Sequence, residues 1–70
     1  MEGVNLTLDE FEALRLCDME GYEQSRIAKT MRVHRSTVSR ILSSARKKLA
    51  DALVNIKAIK IEGGCCKIQK

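Results

Sequence analysis

Between residues 24 and 41, apolar and small residues recur at the spacing of two helices joined by a tight turn. Ile27 falls on the inner face of the first helix, and Ala28 beside it is small enough to let the two helices cross closely. The other apolar positions of the pattern are Met31, Val33, Val38 and Ile41. Six positions of the right type at the right spacing predict a helix-turn-helix unit over Gln24–Ile41.

The turn of this unit carries an unusual residue. Arg32 occupies the position that normally holds glycine, because the chain there needs a positive φ. A non-glycine residue in that conformation costs about 1 kcal/mol, which a folded domain tolerates. His34 is a weak N-cap for the helix that follows. We therefore expect a second helix over Glu23–Met31, a break over Arg32–His34 and a third helix beginning near Arg35.

The first helix has clear signals at both ends. The Thr7 hydroxyl can accept a hydrogen bond from the backbone N–H of Glu10, and the Glu10 side chain can reach back to Thr7, which is a capping box. Gly21 is a suitable residue for ending a helix. This predicts a first helix from Thr7 to about Glu20, with a broad apolar face that touches more than one neighbour.

The third helix is long, since one apolar face continues to about Asn55. That face contains Val38, Leu42, Ala45, Leu49, Ala52 and Ile56. Residues 3–6 and Lys57–Ile61 alternate between apolar and polar side chains, as short strands do, and the two could pair within this chain or with a partner. The sequence thus predicts a mainly α fold: a three-helix helix-turn-helix domain over residues 1–64, with a long recognition helix, short terminal β-strands and a helix-turn-helix core at residues 23–42. Residues 65–70 are expected to form a flexible tail.

Charge is divided sharply along the chain. Residues 1–23 contain seven acidic residues and one basic residue, Arg15, whereas residues 24–48 contain eight basic residues and no acid. A folded segment with such an unbroken basic block favours a polyanionic partner over a merely solvated surface.

The basic and short polar residues of the block lie on the outer face of the third helix. Ser36, Arg40, Ser43 and Lys47 point away from the apolar face, and Arg35, Thr37 and Ser39 flank them near the start of the helix. Arginine can bond two acceptors of guanine, and the threonine methyl can contact that of thymine. Lys47 and Lys48 are placed for phosphate contact, and Gln24 marks the start of the second helix, whose amides can bind a phosphate. The DNA-binding residues predicted are Gln24, Arg35, Ser36, Thr37, Ser39, Arg40, Ser43 and Lys47.

Three strings of the sequence resemble a known family. They are LTLDEFEALRLCDMEG, STVSRILSSARKKLADAL and the closing KAIKIEGG, which together extend from Leu6 to about Gly64. They are similar to an uncharacterised prokaryotic family of predicted DNA-binding proteins, the domain-of-unknown-function family one-three-four, and the helix-turn-helix also resembles region 4 of sigma factors. The resemblance implies a small transcriptional regulator that contacts double-stranded DNA through Arg35, Ser36, Thr37, Ser39 and Arg40. It also leaves RNA polymerase as a candidate partner.

Other classes of function are disfavoured. The single histidine is His34, in the turn, and no set of nucleophile, base and orienting residue can be assembled around it. No enzyme is therefore predicted. The adjacent Cys65 and Cys66 match no ordinary zinc spacing, and no metal or other cofactor is predicted. Phe11 and Tyr22 are the only aromatics, which disfavours a β-sandwich and base stacking. The odd number of cysteines and the absence of a long apolar run favour a cytoplasmic protein without a membrane span, and the predicted binding to DNA would place it at the nucleoid.

Two other functions stay open. A sigma-like adaptor would dock a basic partner through the acidic first helix, and a thiol or metal sensor would use Cys65 and Cys66. In either case a single helix-turn-helix unit is small, so we expect a homodimer built from the terminal strands and the C-terminal half of the third helix, where Val54 lies away from the core.

Overall fold

The computed structural model of the chain describes residues 3–62. In chain order it contains β1 (Gly3–Thr7), α1 (Leu8–Leu14), a π-helical segment (Arg15–Met19), α2 (Gln24–Met31), α3 (Arg35–Val54) and β2 (Ala58–Glu62). The predicted fold class, mainly helical with three helices and two short terminal strands, is confirmed. The tail expected over residues 65–70 lies outside the described residues.

The start of α1 follows the local sequence signal. The backbone N–H of Glu10 donates to Thr7 Oγ1 over 3.1 Å, and the backbone N–H of Thr7 donates to Glu10 Oε1 over 2.9 Å, so the predicted capping box is confirmed. The helix continues beyond Leu14 as the π-helical segment and ends before Gly21, which has a φ of 80°. The predicted extent of the first helix was therefore right, but its last five residues are wound more widely than an α-helix.

The core lies where the three helices meet. Its buried residues come from α1, the π-helical segment, α2 and α3: Ala13, Leu16, Ile27, Ala28, Val38 and Leu42. Because Ile27 and Val38 are fully buried, the inner faces predicted for α2 and α3 are confirmed. Ala28 lies at the same junction, where its short side chain lets the helices approach.

One apolar position of the helix-turn-helix pattern and one position predicted to face inward from the third helix are exposed. Val33 lies just after the left-handed residue Arg32, and this turn leaves its side chain at the rim of the core. Ile56 was placed on the apolar face of the third helix, but α3 ends at Val54 and Ile56 has a φ of 51°, so the helical phase no longer holds there. The prediction for Ile56 was wrong.

The two strands pair with each other in this chain. They run parallel, in a register that places Gly3 opposite Ala58 and Thr7 opposite Glu62. None of the helices within residues 3–62 combines the length and the hydropathy required to cross a membrane.

Candidate nucleic-acid interface

The turn between α2 and α3 ends α2 with a hydrogen-bonded reversal. The N–H of Val33 donates to the Ala28 carbonyl over 3.0 Å, and the N–H of Arg32 donates to the Lys29 carbonyl over 3.3 Å. This pair of bonds is a Schellman motif with Arg32, at φ 60° and ψ 45°, in the left-handed position that glycine usually fills. The expected positive φ at Arg32 is confirmed.

The amino terminus of α3 has free hydrogen-bond donors. His34 is the N-cap in an extended conformation, and its side chain makes no capping bond, as expected for histidine. The His34 carbonyl accepts from the N–H groups of Thr37 and Val38. The first-turn N–H groups of Arg35 and Ser36 have no partner inside the helix, so this end of α3 can donate to an incoming acceptor.

Most of the residues predicted to bind DNA lie on the surface. Those with exposed side chains are Arg35, Ser36, Ser39, Arg40, Ser43 and Lys47, whereas Thr37 and Gln24 are partly buried. Ser39, Arg40, Ser43 and Lys47 line one shallow, open depression of about 570 Å³ on α3. The structure thus brings four of the eight predicted residues together on one face.

Ser44 also lines this depression and was missed from the sequence. Its side-chain hydroxyl donates to Glu10 Oε2 over 2.6 Å, which links α3 to α1. The only signal in the sequence was its place beside Ser43. Its partner lies 34 residues away, and nothing in the local pattern indicates that contact.

Two basic residues of the block are bound internally. Arg46 Nη2 lies 2.7 Å from Asp18 Oδ1, and its hydrogen bond holds the pKa of that carboxyl below its ordinary value. Lys48 Nζ lies 2.9 Å from Glu10 Oε1 and also donates to the Asn5 carbonyl of β1 over 2.9 Å. Lys48, which we expected to contact phosphate, therefore tethers α3 to α1 and β1 instead.

The remaining cations of α3 are differently placed. Within residues 3–62, no carboxylate forms an ion pair with Arg35, Arg40 or Lys47. Acidic residues of the first helix therefore neutralise Arg46 and Lys48, on the side of α3 that faces the domain. They do not neutralise the cations on its outer side. This separation gives α3 a positive outer surface.

The carboxylate of Glu10, which pairs with Lys48, is nearly buried, since Glu10 is 7% exposed. Burial raises the pKa of its carboxyl, but hydrogen bonds from Ser44, the Thr7 backbone and Lys48 outweigh that effect, and the pKa lies below its ordinary value of 4.5. Glu10 is thus a carboxylate at neutral pH and links α1 to α3 through Ser44 and Lys48.

The described residues offer no obvious metal centre. Between Gly3 and Glu62, no group of three or more His, Cys, Asp or Glu side chains is arranged to hold an ion. Cys65 and Cys66, the pair weighed above as a sensor, lie outside this range.

Comparison with known proteins identifies the family. The family described as "Protein of unknown function DUF134" matches residues 1–69. The chain belongs to this family. The resemblance noted in the sequence is therefore confirmed as far as membership is concerned, and the family description itself assigns no activity.

The curated relatives are proteins named only as UPF0251 members. One from Caldanaerobacter subterraneus subsp. tengcongensis is 56% identical over 68 residues, which are 97% of this chain and 58% of that protein. Another, from Moorella thermoacetica, is 58% identical over 64 residues, which are 91% of this chain and 43% of that protein. The chain spans about half the length of the curated relatives it matches. No solved structure matches it.

Proposed function

We propose that this chain binds double-stranded DNA sequence-specifically, as the DNA-binding part of a small transcriptional regulator. The observation that carries the proposal is the set of cations Arg35, Arg40 and Lys47, which have no carboxylate partner within residues 3–62. Arg40 and Lys47 lie on the outer side of α3 and Arg35 lies at its exposed start, and α3 is the helix that follows the left-handed turn at Arg32. That is the helix which enters the major groove in proteins built this way.

The length of α3 divides the predicted contacts into two kinds. At a rise of 1.5 Å per residue, Lys47 lies about 18 Å along the helix from Arg35, whereas the major groove is about 12 Å wide. Base contacts therefore belong to the first turns, where Arg35 and Arg40 can bond guanine and the Thr37 methyl can contact thymine. Lys47 reaches the flanking phosphates, and the short side chains Ser36, Ser39 and Ser43 allow close approach.

The phosphate contact at the start of α2 is the weaker part of the interface. Gln24 begins this helix, and the backbone N–H groups of Gln24 and Ser25 have no partner inside it, whereas that of Arg26 donates to the Glu23 carbonyl over 3.0 Å. However, the N-cap is Glu23, whose exposed side chain does not bond to the helix. A carboxylate at that point repels phosphate, so α3 supplies most of the binding.

The contacts of the first helix count against the adaptor alternative. Glu10 is bound to Ser44 and Lys48, and Asp18 is paired with Arg46. An acidic helix that already neutralises its own domain has less charge to offer a basic partner. DNA binding therefore remains the proposal, with action in the cytoplasm at the nucleoid and without catalysis.

The test compares two arginines on the same helix. Arg40→Ala and Arg46→Ala each remove one positive charge from α3, so their long-range effect on DNA binding is similar. Only Arg40 lies on the outer surface free of ion pairs, whereas Arg46 is held by Asp18. Affinity is measured by fluorescence anisotropy over a salt series, on a duplex selected from a random library, after circular dichroism has shown that both variants are folded.

We expect Arg40→Ala to weaken binding roughly 5- to 150-fold and Arg46→Ala to change it little. Wild-type affinity should fall steeply with salt, since phosphate contacts release counterions. Equal losses in the two variants, or no binding by the wild type at low salt, would overturn the proposal.

A further inference from the structure

The second strand of the sheet has an open edge. Within residues 3–62 the sheet has two strands, so β2 is paired with β1 on one side only. The other side of β1 is met by α3, since Lys48 Nζ donates to the Asn5 carbonyl. On the free edge of β2, alternate residues direct N–H and C=O groups outward, which is an arrangement that accepts another strand.

The apolar face of the sheet is covered over one strand and open over the other. The register places Val4 opposite Ile59 and Leu6 opposite Ile61. Val4 and Leu6 are buried, whereas Ile59 and Ile61 are 42% and 47% exposed. A two-stranded sheet is marginally stable alone, and further strands with a covered apolar face stabilise it.

The open half of this face belongs to a groove of about 510 Å³. Its other apolar lining residues are Leu6, Phe11, Leu14, Met19 and Leu49. The groove and the free edge of β2 adjoin, because Ile59 and Ile61 belong to both. A partner that paired with the strand would therefore also extend the apolar face beside the groove.

The sequence of β2 is complementary to itself. When two copies are laid antiparallel about Ile61, that residue faces its own equivalent, and Lys60 of each copy falls opposite position 62, which is glutamate. Directly opposite residues share a face of the sheet, and opposite charges there stabilise the pair. A register centred on Lys60 would instead place two lysines opposite each other.

We propose that two copies of this chain associate through β2, antiparallel and centred on Ile61. The product is a four-stranded sheet in the order β1-β2-β2-β1, with Ile59 and Ile61 of both copies on one apolar face. The surface is an isologous dimer interface, in which the same residues are contributed by each copy. It does not rest on DNA binding, but it would present two helix-turn-helix units to an operator with two-fold symmetry.

Charge exchange tests the pairing in the absence of DNA. Sedimentation equilibrium of the full chain under reducing conditions should show a dimer. Lys60→Glu, which sets like charges opposite each other twice, should weaken dimerisation roughly ten- to thirty-fold. The double variant Lys60→Glu/Glu62→Lys should restore it. A wild type that stays monomeric at high micromolar concentration, or a dimer unaffected by Lys60→Glu, would overturn the proposal.

Disulfide trapping tests the register. In a background carrying Cys65→Ser and Cys66→Ser, Ile61→Cys would place two Cα atoms about 4.5–5.5 Å apart across the axis, within disulfide range. Ile59→Cys is the matched control. It replaces the same type of residue on the same face of the sheet as Ile61→Cys, but position 59 lies two residues from the axis on each strand. Rapid covalent dimers from Ile61→Cys alone support the register, whereas trapping at Ile59→Cys in preference to Ile61→Cys would overturn it.

Discussion

Replacing Glu10 with glutamine isolates the contact that fixes α3 against α1. Glutamine keeps one acceptor oxygen for the Thr7 N–H, so the capping box survives in part. It has no charge for Lys48, and the amide nitrogen that replaces Oε2 cannot accept from the Ser44 hydroxyl. The change therefore removes the link between the helices while it leaves the start of α1 in place.

The expected loss is about 2 kcal/mol in the free energy of unfolding at pH 7. A hydrogen bond to a charged group contributes about 1.5–3 kcal/mol, and two such bonds are weakened. The expected loss is smaller than the sum of the two bonds, because the Lys48 side chain is 36% exposed and Ser44 is exposed, and both can bond to water instead. A domain of this size has a total stability of only about 3.5–10 kcal/mol, which makes the loss large.

The direction in which the stability changes with pH follows from the lowered pKa of Glu10. Because the folded pKa of Glu10 lies below its ordinary 4.5, its carboxylate stabilises the fold fully above that value, and this stability is lost as the pH falls through the folded pKa. At lower pH the protonated wild type resembles the glutamine variant. The difference between the two proteins should therefore narrow as the pH is lowered below about 4.5 toward the folded pKa.

The assay is urea unfolding followed by far-ultraviolet circular dichroism at several pH values. Glu12→Gln is the control, since it makes the same chemical change on the same helix but disrupts a surface pair with Arg15, which contributes little. If Glu10→Gln is as stable as the wild type at pH 7, or if its deficit persists unchanged at pH 3, the reasoning about this contact is refuted.

Three further predictions concern stability. Arg32→Gly should raise the Tm by about 2–4 °C by relieving the left-handed conformation, whereas Arg32→Ala should give no gain. Leu42→Ala should cost about 3 kcal/mol in urea unfolding because Leu42 is 1% exposed, while Leu53→Ala, at a 71% exposed position, should cost under about 0.5 kcal/mol. Gly21→Ala should cost about 1 kcal/mol, and since no atom lies within 4 Å of the added Cβ, the whole loss measured by thermal unfolding would come from the backbone at φ 80°.

The features that the sequence predicted depend on residues close together in the chain. The capping box joins Thr7 to Glu10, and the turn at Arg32 follows from the spacing of apolar residues on either side. Membership of the family followed from strings that extend over most of the chain. Such signals are local, so no knowledge of the tertiary arrangement was needed to use them.

The features that the sequence missed depend on distant contacts. Glu10 was expected only to cap α1, because its bonds to Ser44 and Lys48 span 34 and 38 residues. For the same reason Lys48 was assigned to a phosphate. The π-helical segment has no established sequence signal. The exposure of Val33 depends on how the turn at Arg32 packs against the core.

The DNA-contacting residues stay predictions, and the structure divides them. Lys47 and Arg40 share one depression on α3 with Ser39 and Ser43, whereas Gln24 lies on another helix beside a carboxylate. The sequence assigned all of them to one set of DNA-contacting residues. A helical wheel shows the direction of a side chain, but neither its burial nor the charges beside it. The ion pairs of the first helix are what separate the cations of α3 into inner and outer sets.

Nitrogen-15 chemical-shift mapping of the chain against its selected duplex tests DNA binding through α3 most directly. We expect the largest amide shifts from Arg35 to Ser43, with smaller ones near Lys47 and Gln24, and all of them should fade as salt is raised. Shifts confined to α1, or none at low salt, would contradict the assignment of α3 as the helix that reads DNA.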